Sequence, residues 1–184
     1  MRGRTKSLSV DIPIAEMAKS RIFIFRYAFL ISPLYRTAFL LYCNHGGEDM
    51  ITQRLYAIAA EKRIYVDELD ISLPSMACEI GELKHIALRP GLSDAEEKTC
   101  LAHELGHHVR GVLYHRETPA FTRGWCEHRA NQWAVHKLIP LRSLVAAFRR
   151  GCVEAWQLAE YFGVTEDFVR ITVDIYRQEG KLPA

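Results

Sequence analysis

The chain has 184 residues, 49% hydrophobic and 25% charged, a globular composition with room for one compact domain and a small appendage. Its formal charge of +2 hides an asymmetry: residues 1–49 hold seven Lys/Arg and four Asp/Glu, the remainder 17 and 18, so the body offers no basic excess to nucleic acid. The five cysteines, Cys43, Cys78, Cys100, Cys126 and Cys152, form no C-x-x-C pair, which argues against a zinc ribbon or a disulfide framework and for reduced thiols.

Residues 22–42, "IFIFRYAFLISPLYRTAFLLY", are apolar but contain Arg26, Pro33 and Arg36. A membrane span needs about 20 largely uncharged apolar residues, and arginines inside it are costly. No small-x-small cleavage site follows, as a signal peptide would require. Gly46-Gly47-Glu48 stand just before Met50, and their codons can spell a purine-rich ribosome-binding site. The expectation is that translation starts at Met50 and that residues 1–49 are a mis-assigned or disordered extension. The nucleotides of codons 46–50 test this, and the idea fails if they cannot form a GGAGG-like run.

From Met50 the pattern is orderly. Ile51, Leu55, Ile58 and Ala59 predict a helix to about Arg63. "RIYVDELDI" favours strand with mixed polarity, and "SMACEI" and "HIALRP" read as a β-hairpin turning around Gly81. "LSDAEEKTCLAHELGHHVRG" is the best-marked helix: Ser93 and Glu96 form a capping box, acids crowd its first turn and Gly111 closes it. A loop is expected to about Gly124. "CEHRANQWAVHKLIP" then predicts a helix stopped by Pro140. Three more follow: one after Pro140, then Val153–Phe162 and Glu166–Gln178.

His103-Glu104-Leu105-Gly106-His107 is an H-E-x-x-H match on a helix. Residues four apart share a helical face, so His103 and His107 can point at one metal ion. Glu104 lies beside them, placed to act as general base on a water carried by that ion. His108 is rotated by about 100° off that face, which suggests a partly exposed or supporting role. A catalytic zinc takes three protein ligands, so a third is needed. The extended H-x-x-H-x-x-G-x-x-H pattern is excluded, because Arg110 occupies its glycine position.

Downstream candidates are His115, Glu127, His128 and His136, with Glu127 preferred as the residue that opens the next helix. Asn131 shares its face and can accept a hydrogen bond from the non-ligating nitrogen of His103. Gly106 and the alanines at 130 and 134 would let the two helices approach closely. Ligation by Cys100 or Cys126 is the alternative. Tyr114 and His115 are candidates to stabilise the oxyanion of a hydrolytic transition state. The "HIALRP" strand is a candidate to pair with an extended substrate.

"LAHELGHH", followed 20 positions after His107 by Glu127 and its "E-x-x-A-N-x-W-A-x-x-x-L-I-P", resembles the ImmA/IrrE family of metallopeptidases over roughly residues 50–140. "LAEYFGVTEDFV" is also similar to phage-type members. The same His-to-Glu separation occurs in thermolysin-like enzymes, with Asp in place of Asn131. The 49-residue extension has no counterpart in the pattern. The resemblance implies a cytoplasmic, site-specific protease that cleaves a helix-turn-helix repressor encoded nearby in a prophage or mobile element.

These readings combine into an α+β, zincin-like fold with a small antiparallel sheet or hairpin. The peptidase domain is expected over 50–140 and a helical, helix-turn-helix-like subdomain over 141–184. One Zn2+ is held by His103, His107 and Glu127, with a protein substrate and neither membrane nor direct nucleic-acid partners. The competing reading is a DNA- or protein-binding regulator with a structural or vestigial zinc site. Against DNA stand Glu166 and Asp167, whose charges at the head of the presumed recognition helix would repel phosphate.

Overall fold

The computed structural model describes residues 50–183. Residues 1–49, and with them the reading of a mis-assigned start, lie outside the described residues. Among the described residues the order is α1 (Met50–Glu61), β1 (Ile64–Glu68), β2 (Ser75–Ile80), β3 (Leu83–Leu88), α2 (Asp94–Arg110), α3 (Ala120–Leu138), α4 (Leu141–Arg149), α5 (Ala155–Phe162) and α6 (Glu166–Gln178). This is the expected α+β class.

The sheet has the strand order β1-β3-β2. The expected hairpin forms, with Ala77 of β2 opposite Ile86 of β3 in antiparallel register. A third strand adds to it: β1 runs parallel to β3 and sets Val66 beside Ile86. Its alternation is real but short, since Ile64 and Val66 are buried while Tyr65 is exposed. One expectation changes as a result. The 85–90 strand cannot receive a substrate backbone, because β3 is central and both its edges are filled. The edge position beside it belongs to β2.

Helix α2 is capped as its sequence dictates. The Glu96 backbone N–H donates to Ser93 Oγ and the Ser93 backbone N–H to Glu96 Oε2, while Gly111 closes the far end in the left-handed conformation. Helix α3 starts earlier than expected, at Ala120 rather than near Cys126, so Glu127 sits in its third turn and not at its head. The segment "TPAFTRG" reads as loop because Thr, Pro and Gly are turn formers. However, Pro119 only precedes the first turn, where a missing N–H costs nothing, and Gly124 is exposed with room around it. Phe121 and Trp125 point outward and break the apolar periodicity.

The two helices approach closely at Gly106. A Cβ there would meet the Ala130 carbonyl oxygen at 2.5 Å, so no larger residue fits this backbone. One apolar cluster runs from Leu101 and Leu105 through Trp133 and Ile86 to Leu144, Leu158 and Tyr176. The segments 50–140 and 141–184 therefore share a core. Buried Lys98 of α2 reinforces the junction: its ammonium donates to the Phe162 carbonyl at the C-terminus of α5. Gly163, at φ +59, ends that helix, and a side chain there would come within 2.8 Å of the ammonium. His108 is buried rather than partly exposed. Its Nε2–H donates to the His85 carbonyl of β3, tying α2 to the sheet, and burial lowers its pKa.

Candidate metal centre

Helix α2 carries His103, Glu104 and His107, and α3 carries Glu127 and Asn131. The approach at Gly106 brings the two sets together. One donor atom from each of His103, His107 and Glu127 lies within 4.8 Å of the others. The two imidazole Nε2 atoms are 3.1 Å apart. Glu127 Oε2 is 3.1 Å from His103 Nε2, and its Oε1 is 3.4 Å from His107 Nε2.

The outer nitrogens fix what the inner ones can do. His107 Nδ1 lies 3.1 Å from the Val112 carbonyl, which can only accept, so this nitrogen carries the proton. His103 Nδ1 lies 2.8 Å from Asn131 Oδ1, which also accepts. In the neutral rings both Nε2 atoms then present lone pairs, and a carboxylate faces them. Three acceptors converging without a donor repel one another unless a proton on one Nε2, or a cation, lies between them. This donor set, two imidazoles and one carboxylate, fits a borderline divalent metal such as zinc.

With no cation between the three groups, a proton on an imidazole supplies the attraction instead. Burial pulls the His103 pKa down, but the Glu127 hydrogen bond and the nearby Glu104 charge hold it above the usual histidine value. Hydrogen bonds from His103, His107 and Tyr114 hold the Glu127 carboxyl well below the usual carboxylate range, against the effect of burial. The Tyr114 hydroxyl donates to Glu127 Oε1 at 2.6 Å, and this bond, more than its burial, pushes its pKa up to about 12. The Tyr114 ring stands edge-on to His107, with centroids 5.8 Å apart.

Glu104 is buried, and its Oε1 accepts a 2.7 Å bond from the Ser75 hydroxyl at the start of β2. No local pattern marks Ser75, which lies 29 positions from Glu104 in the chain. Of the paired candidates Tyr114 and His115, only Tyr114 reaches the cluster. His115 is exposed and makes a backbone bond to Thr118. The other candidate ligands stand elsewhere: His136 bonds Glu179, and His128 is outside the cluster. Cys126 is buried outside it, and burial raises the Cys100 thiol pKa, which favours the protonated form that does not bind metal.

A family model, the IrrE N-terminal-like domain of peptidases, matches residues 48–174. The chain belongs to this family. The IrrE N-terminal-like match runs well past residue 140 and takes in α4, α5 and most of α6, including the LAEYFGVTEDFV stretch. Membership makes the chain a metallopeptidase-like domain, and the His103–His107–Glu127 cluster is compatible with a metal ion in it. Searches of curated proteins and of solved structures return no match. No helix among the described residues is long and apolar enough to cross a membrane.

Proposed function

We propose that the protein is a zinc-dependent, site-specific endopeptidase of the cytoplasm. Its substrate on this reading is a regulatory protein, a helix-turn-helix repressor encoded beside its own gene. Cleavage would release prophage or mobile-element genes from repression. The observation that carries the catalytic part is the convergence of two imidazoles and one carboxylate from two helices, with buried Glu104 on the same helix as both imidazoles. The choice of a repressor rests on the sequence resemblance.

Each side chain then has a task. His103, His107 and Glu127 would hold the cation, which supplies Lewis-acid chemistry by acidifying water and polarising a carbonyl. Asn131 and the Val112 carbonyl keep both imidazoles turned inward with the proton on Nδ1. Tyr114 holds one oxygen of Glu127 and so favours ligation through the other. Of the two oxyanion candidates its hydroxyl alone reaches the cluster, and it would release Glu127 to donate to an oxyanion. Glu104 takes a proton from the attacking water and passes it to the departing amine. The Ser75 hydroxyl orients that carboxylate.

The test is incubation of the full chain with the repressor encoded next to it. Cleavage should need Zn2+ and vanish with Glu104→Gln while the fold stays intact. Cleavage that persists in chelator, or in that variant, overturns the reading.

A further inference from the structure

The helix-turn-helix-like pair α5 and α6 is not used by the chemistry above. Its second helix faces the metal centre. Phe168 and Ile171 of α6 form one wall of a cleft of about 260 Å3 whose opposite wall is Cys100 and His103 of α2. Asn131 of α3, Ser75 of β2 and the hydroxyl residues Thr99 and Thr165 also line it. The N-terminal half of α6 is thus turned toward a histidine of the cluster.

The chemistry of the cleft points to one kind of occupant. Its volume lies below the range of about 300–1,000 Å3 that encloses a drug-sized molecule, so it suits a single side chain. Phe168 and Ile171 are apolar, and Cys100 behaves as a small hydrophobe. The charged residue of the lining besides His103 is Asp167. Its carboxylate is already bonded to Arg170 at 2.6 Å, which leaves it poorly placed to select a cationic side chain. Ser75 lies both in the lining and at the start of edge strand β2, so a peptide laid along that edge would pass the mouth of the cleft.

We propose that this cleft is a specificity pocket that receives one apolar side chain of leucine, methionine or phenylalanine size from the substrate, with Ile171 of α6 setting its depth. The proposal rests on the peptidase reading for the word substrate, but the pocket can be tested without turnover. The full chain carrying Glu104→Gln, loaded with Zn2+, is used to select from a randomised decapeptide library, and the bound peptides are sequenced by mass spectrometry. Leucine, methionine and phenylalanine should be enriched at one position.

Adding Ile171→Ala should move that preference toward phenylalanine and tryptophan, and adding Ile171→Trp toward alanine and glycine. Each change should be about tenfold or more, the scale of discrimination by an apolar pocket. The two variants act in opposite directions, so either one that folds is decisive. A profile that residue 171 does not move, or one with charged or no enrichment, overturns the pocket. The Glu104-intact protein separates the two ideas. If it cleaves the selected peptides while residue 171 leaves the profile unmoved, the pocket falls and the peptidase reading stands. If it cleaves none while residue 171 still moves the profile, the pocket stands and the peptidase reading falls.

Discussion

At the scale of single residues, the proposed function divides the site into groups that would touch the reaction and groups that would hold them. Glu104 belongs to the first set. Glu104→Gln should lower turnover by at least the 10²–10⁴ or so that a general base contributes, with zinc content by elemental analysis unchanged. Loss of the metal would instead make Glu104 a ligand. Asn131 belongs to the second set, with its 2.8 Å contact to His103 Nδ1. Asn131→Ala should weaken zinc binding by about 10- to 100-fold in a competition titration, the usual cost of removing such a contact. Affinity equal to the unmodified protein would deny Asn131 that role. The H-E-x-x-H spacing was legible because a helix stacks residues four apart. Ser75 was not, because no local pattern announces a contact across 29 residues.

At the scale of elements, the site exists because two helices meet at a glycine. His103 and His107 are on α2 and Glu127 is on α3, so the separation of these helices sets how closely the three donors converge. Gly106→Ala forces a methyl to within 2.5 Å of the Ala130 carbonyl oxygen, and the backbones must part. The expected loss is about 1–3 kcal/mol in denaturant unfolding, accompanied by weaker zinc binding. Unchanged affinity would show that the cavity tolerates the shift. The capping of α2 was readable from Ser93 and Glu96, since a capping box is local chemistry. The start of α3 was not, because Phe121 and Trp125 are exposed aromatics and give no apolar stripe.

At the scale of the whole molecule, metal and pH should both act on stability. A cation bound only by the folded state stabilises it, by about 2.7 kcal/mol at a hundred times its dissociation constant. Zinc should therefore raise the melting temperature of the unmodified protein and leave that of Glu127→Ala almost unmoved; an equal rise in both would place the metal elsewhere. On the acid side one contributor, away from the metal centre, is Glu179, where α6 is fastened to α3. Burial opposes ionisation of this carboxyl, but bonds from Lys181, Gln132 and His136 outweigh it and bring its pKa down to about 2, from an ordinary 4.5. A depressed carboxylate pKa stabilises above the unfolded value, so this contribution is present above about pH 4.5 and is lost as pH falls toward 2. Glu179→Gln should lower stability at neutral pH and flatten the acid limb of the stability curve. A limb of unchanged slope would exonerate this carboxylate.

The sequence alone determined what depends on local periodicity: the α+β class, the capped helix α2, the hairpin, and two histidines and a glutamate on one helix. It also supported Glu127 and Asn131 as partners, since their spacing on a second helix could be read even though its start could not. Tertiary structure decided the rest. It put β1 beside β3 and left β2 at the edge, buried His108 as a strut to the sheet, and chose Tyr114 over His115. It also turned α6, which looks like a recognition helix along the chain, to face His103 across a cleft. The reason is physical: strand order, helix approach and the direction an amphipathic face takes are set by which apolar surfaces find one another over long separations, and a linear pattern does not record that choice.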